Sequence, residues 1–366
     1  MDKPLSFLFV LTFCLFFAPF DISADHGEIL FHDVVEKSFS IFKVRPDGSG
    51  LKEIIRNGAY PVWSRERKKI AYVSLTPGTQ SPHSTAKIRV SDSAGKELFK
   101  VEGIKSDFKD EEANKLSVGY EWSHDGNQLA FATILSNRLY LQVFDIRSRK
   151  ILNVYQKEVE DTTRTYFNTK IVWAFDDKDI FFISEGGGIE VIDLQNGVVN
   201  YIIPSKIPSS LSEGEDRVIF AYQKGEFISF WSIDKQGKRG DDFEIKGKAF
   251  PVSGPVKNNL LIEERSPDKI SRTYLLDLRS KRKEEIQRGN VHFFSASLSP
   301  RGDKVIAIGV KYKDQKNVKE EDAEAGYYIL DLKTEKIDLL RKFSQPRNRG
   351  YWMNVYLGNR RDYSWR

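Results

Sequence analysis

The side chains best suited to acid–base or metal chemistry are scattered along the chain. The chain has five histidines, at His26, His32, His83, His124 and His292. Three of them could hold a metal ion if they converged, but scattered histidines more often serve packing and hydrogen bonding. The sequence contains no nucleophile elbow, zinc-protease helix, phosphate-binding loop or dinucleotide-binding loop. We therefore predict no catalytic residue, no metal site and no cofactor.

The aspartates recur too regularly to form a dedicated acid–base pair. Each follows an alternating apolar strand and precedes a turn, in copies that end at Asp92, Asp145, Asp193, Asp277 and Asp331. An aspartate at a strand end accepts hydrogen bonds from backbone N–H groups two residues on, which is the chemistry of a turn. The segment 228–234 fits with a small offset, and 41–48 is the first copy. Six intervals therefore separate seven copies, at about 48 residues each.

A second unit recurs between these, consisting of an apolar strand, a short polar turn and another apolar strand. Its copies are anchored by a large apolar residue, at Trp63, Trp122, Trp173, Leu211, Val252 and Leu298, with Leu357 as a possible seventh. Because the tryptophans occupy equivalent positions, we predict that they pack between neighbouring repeats and do not form a cofactor box. The two series are independent, and both indicate seven repeats.

Together the two units predict an all-β chain with four strands in each repeat and no helices between them. Period-2 alternation with β-branched and aromatic residues places one face of each strand in a core. This pattern is typical of a β-propeller of four-stranded antiparallel blades. Seven blades fit both series, and six or eight are the alternatives.

The repeat resembles that of the TolB-type, WD-like β-propellers. The resemblance rests on 45–50 (RPDGSG), on Trp63-Ser64 and on 122–126 (WSHDG), and it covers about 40–341. In that family each repeat carries an aspartate–glycine turn and then a hairpin similar to W-S-P-D-G-K. The family implies a role in bridging outer-membrane components. TolB-type proteins place an α/β domain before a six-bladed propeller, whereas the repeats here begin soon after Ala24, so we expect a propeller without that domain.

The first 24 residues have the pattern of a signal peptide. A short region with Lys3 precedes an apolar run from Pro4 to Phe20, and Ala24 supplies the small residue at the cleavage site. Cleavage would leave 25–366 as a single propeller domain without a membrane span. It would also remove the only cysteine, Cys14, so we expect no disulfide. We predict a periplasmic protein, with secretion as the alternative.

The two ends of the mature chain are predicted to pair. Residues 28–32 look like a second strand that lacks a first, and 351–356 look like a first strand whose blade is never completed. Pairing them would close the ring and remove its open edges, and we expect a monomer. The C-terminal stretch 341–366 carries seven basic residues against one acid, and four of them could contact an anionic surface: Arg347, Arg349, Arg360 and Arg361. The remaining charge is close to balanced, so we predict no nucleic-acid partner.

Loop lengths distinguish the two ends of the blades. The long connections, at 75–85, 102–116, 157–167 and 311–325, emerge on one face, opposite the short turns of the repeat. Long loops on a rigid scaffold commonly carry binding residues. We therefore predict a non-enzymatic protein-interaction propeller whose partner binds the long-loop face, with candidate contacts at His83, Asp110, Glu111 and Lys319.

The alternative is a propeller enzyme, a lyase or hydrolase acting on a carbohydrate or small metabolite at the central channel. Histidine and carboxylates converging at the channel mouth would favour the enzyme, whereas a ring with an apolar and aromatic patch would favour binding.

Overall fold

The computed structural model describes most of the chain between residues 27 and 365. The described ranges are 27–36, 38–74, 87–101, 119–135, 137–158, 170–183, 188–204, 209–214, 216–240, 242–247, 249–265, 271–286, 290–311, 324–343 and 363–365. Every regular element within these ranges is a β-strand. The described residues contain no helix that is long and apolar enough to cross a membrane. The predicted signal peptide and Leu357 lie outside them.

The strands form seven four-stranded antiparallel sheets, as the two repeats predict. Blade 1 contains β1 (Ile29–Val35), β2 (Ser38–Val44), β3 (Lys52–Arg56) and the C-terminal strand β28 (Tyr363–Trp365). Blade 2 contains β4 (Gly58–Trp63), β5 (Lys69–Ser74), β6 (Lys87–Asp92) and β7 (Glu97–Lys100). Blade 3 contains β8 (Tyr120–Trp122), β9 (Gln128–Leu135), β10 (Arg138–Asp145) and β11 (Lys150–Glu158).

Blades 4 to 7 repeat the same order along the chain. Blade 4 contains β12 (Ile171–Trp173), β13 (Asp179–Ile183), β14 (Ile189–Asp193) and β15 (Val199–Ile203). Blade 5 contains β16 (Ser209–Glu213), β17 (Arg217–Lys224), β18 (Phe227–Asp234) and β19 (Phe243–Lys246). Blade 6 contains β20 (Ala249–Val256), β21 (Asn259–Arg265), β22 (Ser271–Asp277) and β23 (Lys283–Glu285). Blade 7 contains β24 (Val291–Leu298), β25 (Lys304–Lys311), β26 (Glu324–Asp331) and β27 (Ile337–Lys342).

Burial falls from the first strand of a blade to the last. All six residues of β4 are buried, whereas β7 is mostly exposed. The first strands therefore surround the central axis and the fourth strands form the rim, as in other propellers. The predicted anchors Trp63, Trp122, Trp173 and Leu298 end such inner strands, and all four are buried.

The hydrophobic core is divided among the junctions between blades. One cluster packs Ala130 and Leu141 of blade 3 against Trp173 of blade 4, and comparable clusters join every successive pair. A further cluster packs Phe31 of blade 1 against Tyr327 of blade 7. Each blade therefore buries both faces of its sheet only by contact with two neighbours.

The C-terminal strand lies beside the first strand of the chain. Residues 363–365 pair antiparallel with 29–31, in the register Ile29↔Trp365 and Phe31↔Tyr363. The strand predicted over 351–356 lies outside the described residues, so the pairing observed uses a later segment. That this pairing keeps the ring closed stays a prediction.

Candidate functional site at the channel mouth

The residues predicted to bind a partner are outside the part of the chain that the structure describes. This applies to the four loop candidates His83, Asp110, Glu111 and Lys319, and to the four arginines Arg347, Arg349, Arg360 and Arg361. Their roles stay predictions. We call the face on which the long connections 75–85, 102–116, 157–167 and 311–325 are predicted to emerge the long-loop face. The opposite face carries the turns between strands one and two and between strands three and four, and we call it the motif-turn face.

The repeated aspartates of the motif-turn face serve as turn residues. Asp145 accepts a hydrogen bond from the backbone N–H of Ser148 at 2.6 Å, and Asp193 accepts one from Gln195 at 2.7 Å. Backbone hydrogen bonds to the carboxylate lower the pKa of Asp145, Asp193, Asp277 and Asp331, because they favour the ionised form. These carboxylates are committed to turn geometry.

Four other polar side chains of this face meet at the channel mouth. Arg65 of blade 2 and His124 of blade 3 occupy the same repeat position, two residues after the anchor, as does Glu213 of blade 5. The Arg65 guanidinium forms an ion pair with Glu213 Oε1. The His124 Nε2 atom lies 3.3 Å from the same Glu213 oxygen. Residues from blades 2 and 5, three steps apart in a ring of seven, can touch only near the axis, so this contact crosses the mouth.

Asp177 of blade 4 completes the cluster from the turn that follows Trp173. It adopts a φ of 57°, in the left-handed region that Arg67, Gly126 and Gly302 adopt at the same repeat position. Its carboxylate accepts hydrogen bonds from the backbone N–H of His124 at 2.7 Å and of Asp125 at 2.9 Å. The same carboxylate lies 2.9 Å from His124 Nδ1. Asp177 therefore fixes both the turn and the imidazole of the preceding blade.

The surroundings of the cluster are largely shielded from solvent. The side chain of Glu213 is 6% exposed and that of His124 is 13% exposed. The ring of His124 packs on Phe175, with the centroids 4.9 Å apart. In this setting charge-assisted hydrogen bonds are stronger than in water.

The geometry limits the chemistry available to His124. Each ring nitrogen faces a different carboxylate, and only the protonated imidazole can donate to both. A catalytic histidine of the triad type holds one carboxylate and leaves its other nitrogen to the nucleophile. The two carboxylates lie on opposite sides of the imidazole ring, so they cannot both bind a metal ion that the ring also binds. Among the described residues, no group of three or more His, Cys, Asp or Glu side chains could hold a metal ion.

The other described histidines lie within the blades. His32 is fully buried in β1, where its Nδ1 atom accepts a hydrogen bond from the backbone N–H of Tyr60 at 3.3 Å. Burial lowers the pKa of His292 on β24. Neither joins the cluster at the mouth.

Sequence reasoning missed this cluster, although a signal was present. The hairpin of the family that this repeat resembles has proline at the position after serine, and this chain keeps it in Pro300 of blade 7. Four successive blades replace it with Arg65, His124, Phe175 and Glu213. A run of side chains that can carry charge or stack, where the repeat requires only a turn residue, marks the site.

Comparison with known proteins supports a TolB-like propeller fold. TolB from Acinetobacter baumannii matches with a TM-score of 0.52 at 15% identity, over 100% of this chain and 74% of that one. The β-propeller domain of the Trilobed protease from Pyrococcus furiosus matches with a TM-score of 0.55 at 12% identity, over 88% and 94%. An acylaminoacyl peptidase from Pyrococcus horikoshii matches with a TM-score of 0.55 at 14% identity, over 86% of this chain and 50% of that one.

At these identities the likeness concerns the fold alone. No protein-family model matches the sequence, and no curated protein matches it.

Proposed function

We propose that this chain is an exported, non-enzymatic protein-interaction propeller, acting in a bacterial periplasm or after secretion, whose partner binds the long-loop face. A TolB-like fold fits an interaction module, and it supplies a rigid ring on which loops can be displayed. The candidate contacts are His83, Asp110, Glu111 and Lys319.

The observation that carries the proposal is the internal pairing of the charged groups on the opposite face. Arg65, His124, Asp177 and Glu213 contact one another across blades 2 to 5. The turn aspartates accept hydrogen bonds from their own turns. We expect the side chains that recognise a partner on the other face, where fewer of them would be used in internal ion pairs. The loop 311–325 alone carries nine charged residues in fifteen.

The test begins with crosslinking and affinity capture from the native compartment, followed by alanine substitution on both faces. His83→Ala, Asp110→Ala, Glu111→Ala and Lys319→Ala should weaken binding of the captured partner. Under this proposal we expect them to change the free energy of unfolding by less than about 0.5 kcal/mol, the usual range for surface substitutions. Asp176→Ala, an exposed turn residue on the motif-turn face, is the matched control. Loss of binding confined to motif-turn variants that remain folded would contradict the proposal.

A propeller enzyme acting at the channel remains the second candidate, because a histidine and two carboxylates do converge at the mouth. Peptidases also occur among the structures that share the fold. Incubating the wild type and His124→Gln with carbohydrate polymers and small metabolites decides between the two. Turnover by the wild type that His124→Gln abolishes while staying folded would favour the enzyme.

A further inference from the structure

We propose that the channel mouth on the motif-turn face is a carboxylate-binding site, and that Glu213 occupies it as an internal ligand. The external ligand would be a carboxylate of a protein partner, either an acidic side chain or a C-terminus. This site lies on the face opposite the long-loop face, and its ligand would come from a partner other than the one proposed to bind there.

The first support is the convergence of two donors on one oxygen atom. The Arg65 guanidinium and the His124 Nε2 atom both approach Glu213 Oε1, from blades 2 and 3. An arginine guanidinium and a histidine ring nitrogen directed at a single carboxylate oxygen form a donor set that proteins use to bind carboxylate ligands. The acceptor comes from blade 5, on the far side of the axis.

The second support is that the orientation of His124 does not depend on Glu213. Asp177 holds the Nδ1 side of the imidazole, and the backbone N–H groups of His124 and Asp125 hold Asp177 in turn. Phe175 packs on the ring. Nε2 would therefore stay directed at the mouth if the Glu213 carboxylate left, and a preorganised donor costs little conformational entropy when it binds.

The third support is the position of Glu213 in the fold. It is the last residue of β16, the inner strand of blade 5, so a change of its side-chain rotamer leaves the backbone pairing of the strand intact. The following residue, Gly214, is packed against blade 6, where a Cβ atom would lie 2.1 Å from the Pro255 carbonyl oxygen. The backbone at this point is thus held in place, and only the Glu213 side chain needs to move.

Charge balance selects the class of ligand. An incoming carboxylate replaces the one that leaves, so the net charge around Arg65 and His124 is unchanged. A neutral ligand would remove the Glu213 charge from beside the guanidinium without replacing it, which is costly in a shielded site. Exchange of one carboxylate for another is therefore the favoured process.

The experiment uses acetate as the probe and the histidine rings as the reporter. The chain has five histidines, so selective isotope labelling gives few ring signals, and His124→Gln assigns the one at the mouth. Titration with acetate should shift the His124 signal saturably. In Glu213→Ala the acetate Kd should fall at least about tenfold relative to the wild type, because an internal competitor weakens the apparent affinity in proportion to its occupancy.

Three controls separate a site from a general salt effect. Acetamide and chloride, at matched concentration and ionic strength, should leave the His124 signal unmoved. Glu244→Ala removes another glutamate of blade 5, one that forms an exposed ion pair with Lys224 at 2.7 Å. It should bind acetate as the wild type does. Arg65→Met combined with Glu213→Ala should lose the gain in acetate affinity.

The outcomes decide in either direction. Equal acetate affinity in Glu213→Ala and the wild type, or equal shifts with acetate and chloride, would overturn the proposal. If Glu213→Ala does not fold, the wild-type titration decides, and the absence of a saturable shift overturns it. A peptide with a free C-terminus, its amidated form, and amidated peptides containing Glu or Gln then show which source of carboxylate binds.

Discussion

The indole nitrogen of Trp173 donates a hydrogen bond to the backbone carbonyl oxygen of Glu121, 3.0 Å away across the junction between blades 3 and 4. Trp122 makes the same contact one blade earlier, from its Nε1 atom to the carbonyl of Val62 at 3.2 Å. In both cases the acceptor immediately precedes the anchor of the preceding blade. The repeated tryptophan thus links inner strands in addition to filling the core.

Substitution of Trp173 should separate these two contributions. Trp173→Ala should lower the free energy of unfolding by about 3–5 kcal/mol, because it leaves a cavity in a buried junction. Trp173→Phe keeps much of the packing and removes the hydrogen bond, so we expect a smaller loss of about 1–3 kcal/mol. Denaturant unfolding measures both. Phe227→Ala, at a side chain that is 42% exposed, is the control. A Trp173→Phe variant as stable as the wild type would show that the hydrogen bond contributes nothing to the free energy of unfolding.

Asp177→Gly tests the bridge between blades 3 and 4 at the mouth. Glycine accepts the left-handed backbone without strain, so the expected loss of about 1.5–3 kcal/mol reports the hydrogen bonds to the carboxylate. Arg67→Gly is a matched control, because Arg67 has a φ of 56° at the same repeat position and an exposed side chain. Unfolding should show a smaller loss for Arg67→Gly than for Asp177→Gly. Equal effects of the two substitutions would assign the change to the backbone and not to the carboxylate.

Acidification should weaken the turns that depend on ionised aspartates. Backbone hydrogen bonds from Ser148 and Thr334 hold the pKa of Asp145 and Asp331 below the unfolded value. The stability they contribute is therefore present above about pH 4 and is lost as the pH falls through the folded pKa. Urea midpoints measured from neutral to acidic pH should show this decline. The decline should be shallower in Asp145→Asn, and an unchanged slope in that variant would contradict the assignment.

Asp179 should behave in the opposite way. Partial burial raises its pKa, and the nearby carboxylates of Asp176 and Asp193 add to the effect. Its ionised form is therefore disfavoured in the folded state, and protonation on acidification increases stability. Asp179→Asn should raise the urea midpoint at neutral pH and remove this gain at low pH. A lower midpoint at neutral pH would show that the carboxylate is stabilising.

Truncation after Gly350 tests whether the C-terminal strand closes the ring. Removing 351–366 deletes β28, and β1 then has an open edge that can pair with other chains. We expect a lower melting temperature and self-association in calorimetry and size-exclusion chromatography. Deletion of Arg366 alone, beyond the end of β28, should behave as the wild type. A monomeric truncated protein with an unchanged melting temperature would rule out closure by this strand.

Local sequence patterns were sufficient for the blades but not for contacts between distant blades. The strand that ends at Trp122 and the turn at Asp145 can each be recognised within a few residues, because alternation and turn chemistry are local. The choice between 351–356 and 363–365 as the partner of β1 depends on long-range register, and both segments contain aromatic residues. The contact between Arg65 and Glu213 depends on how many blades separate the two residues around the ring. The local sequence around either residue does not contain this information.

The junction between blades 1 and 7 has a consequence for the order in which the chain folds. Arg341 donates to Asp33 at 2.7 Å, and the Tyr327 hydroxyl donates to the carbonyl of His32 at 2.7 Å. Both contacts join residues about 300 positions apart, among the most non-local in the protein, and non-local contacts slow folding. Blades 2 to 6 can assemble in chain order as their strands become available. Blade 1 gains its contacts with blade 7 only when the C-terminal part of the chain is also available, so this junction forms last.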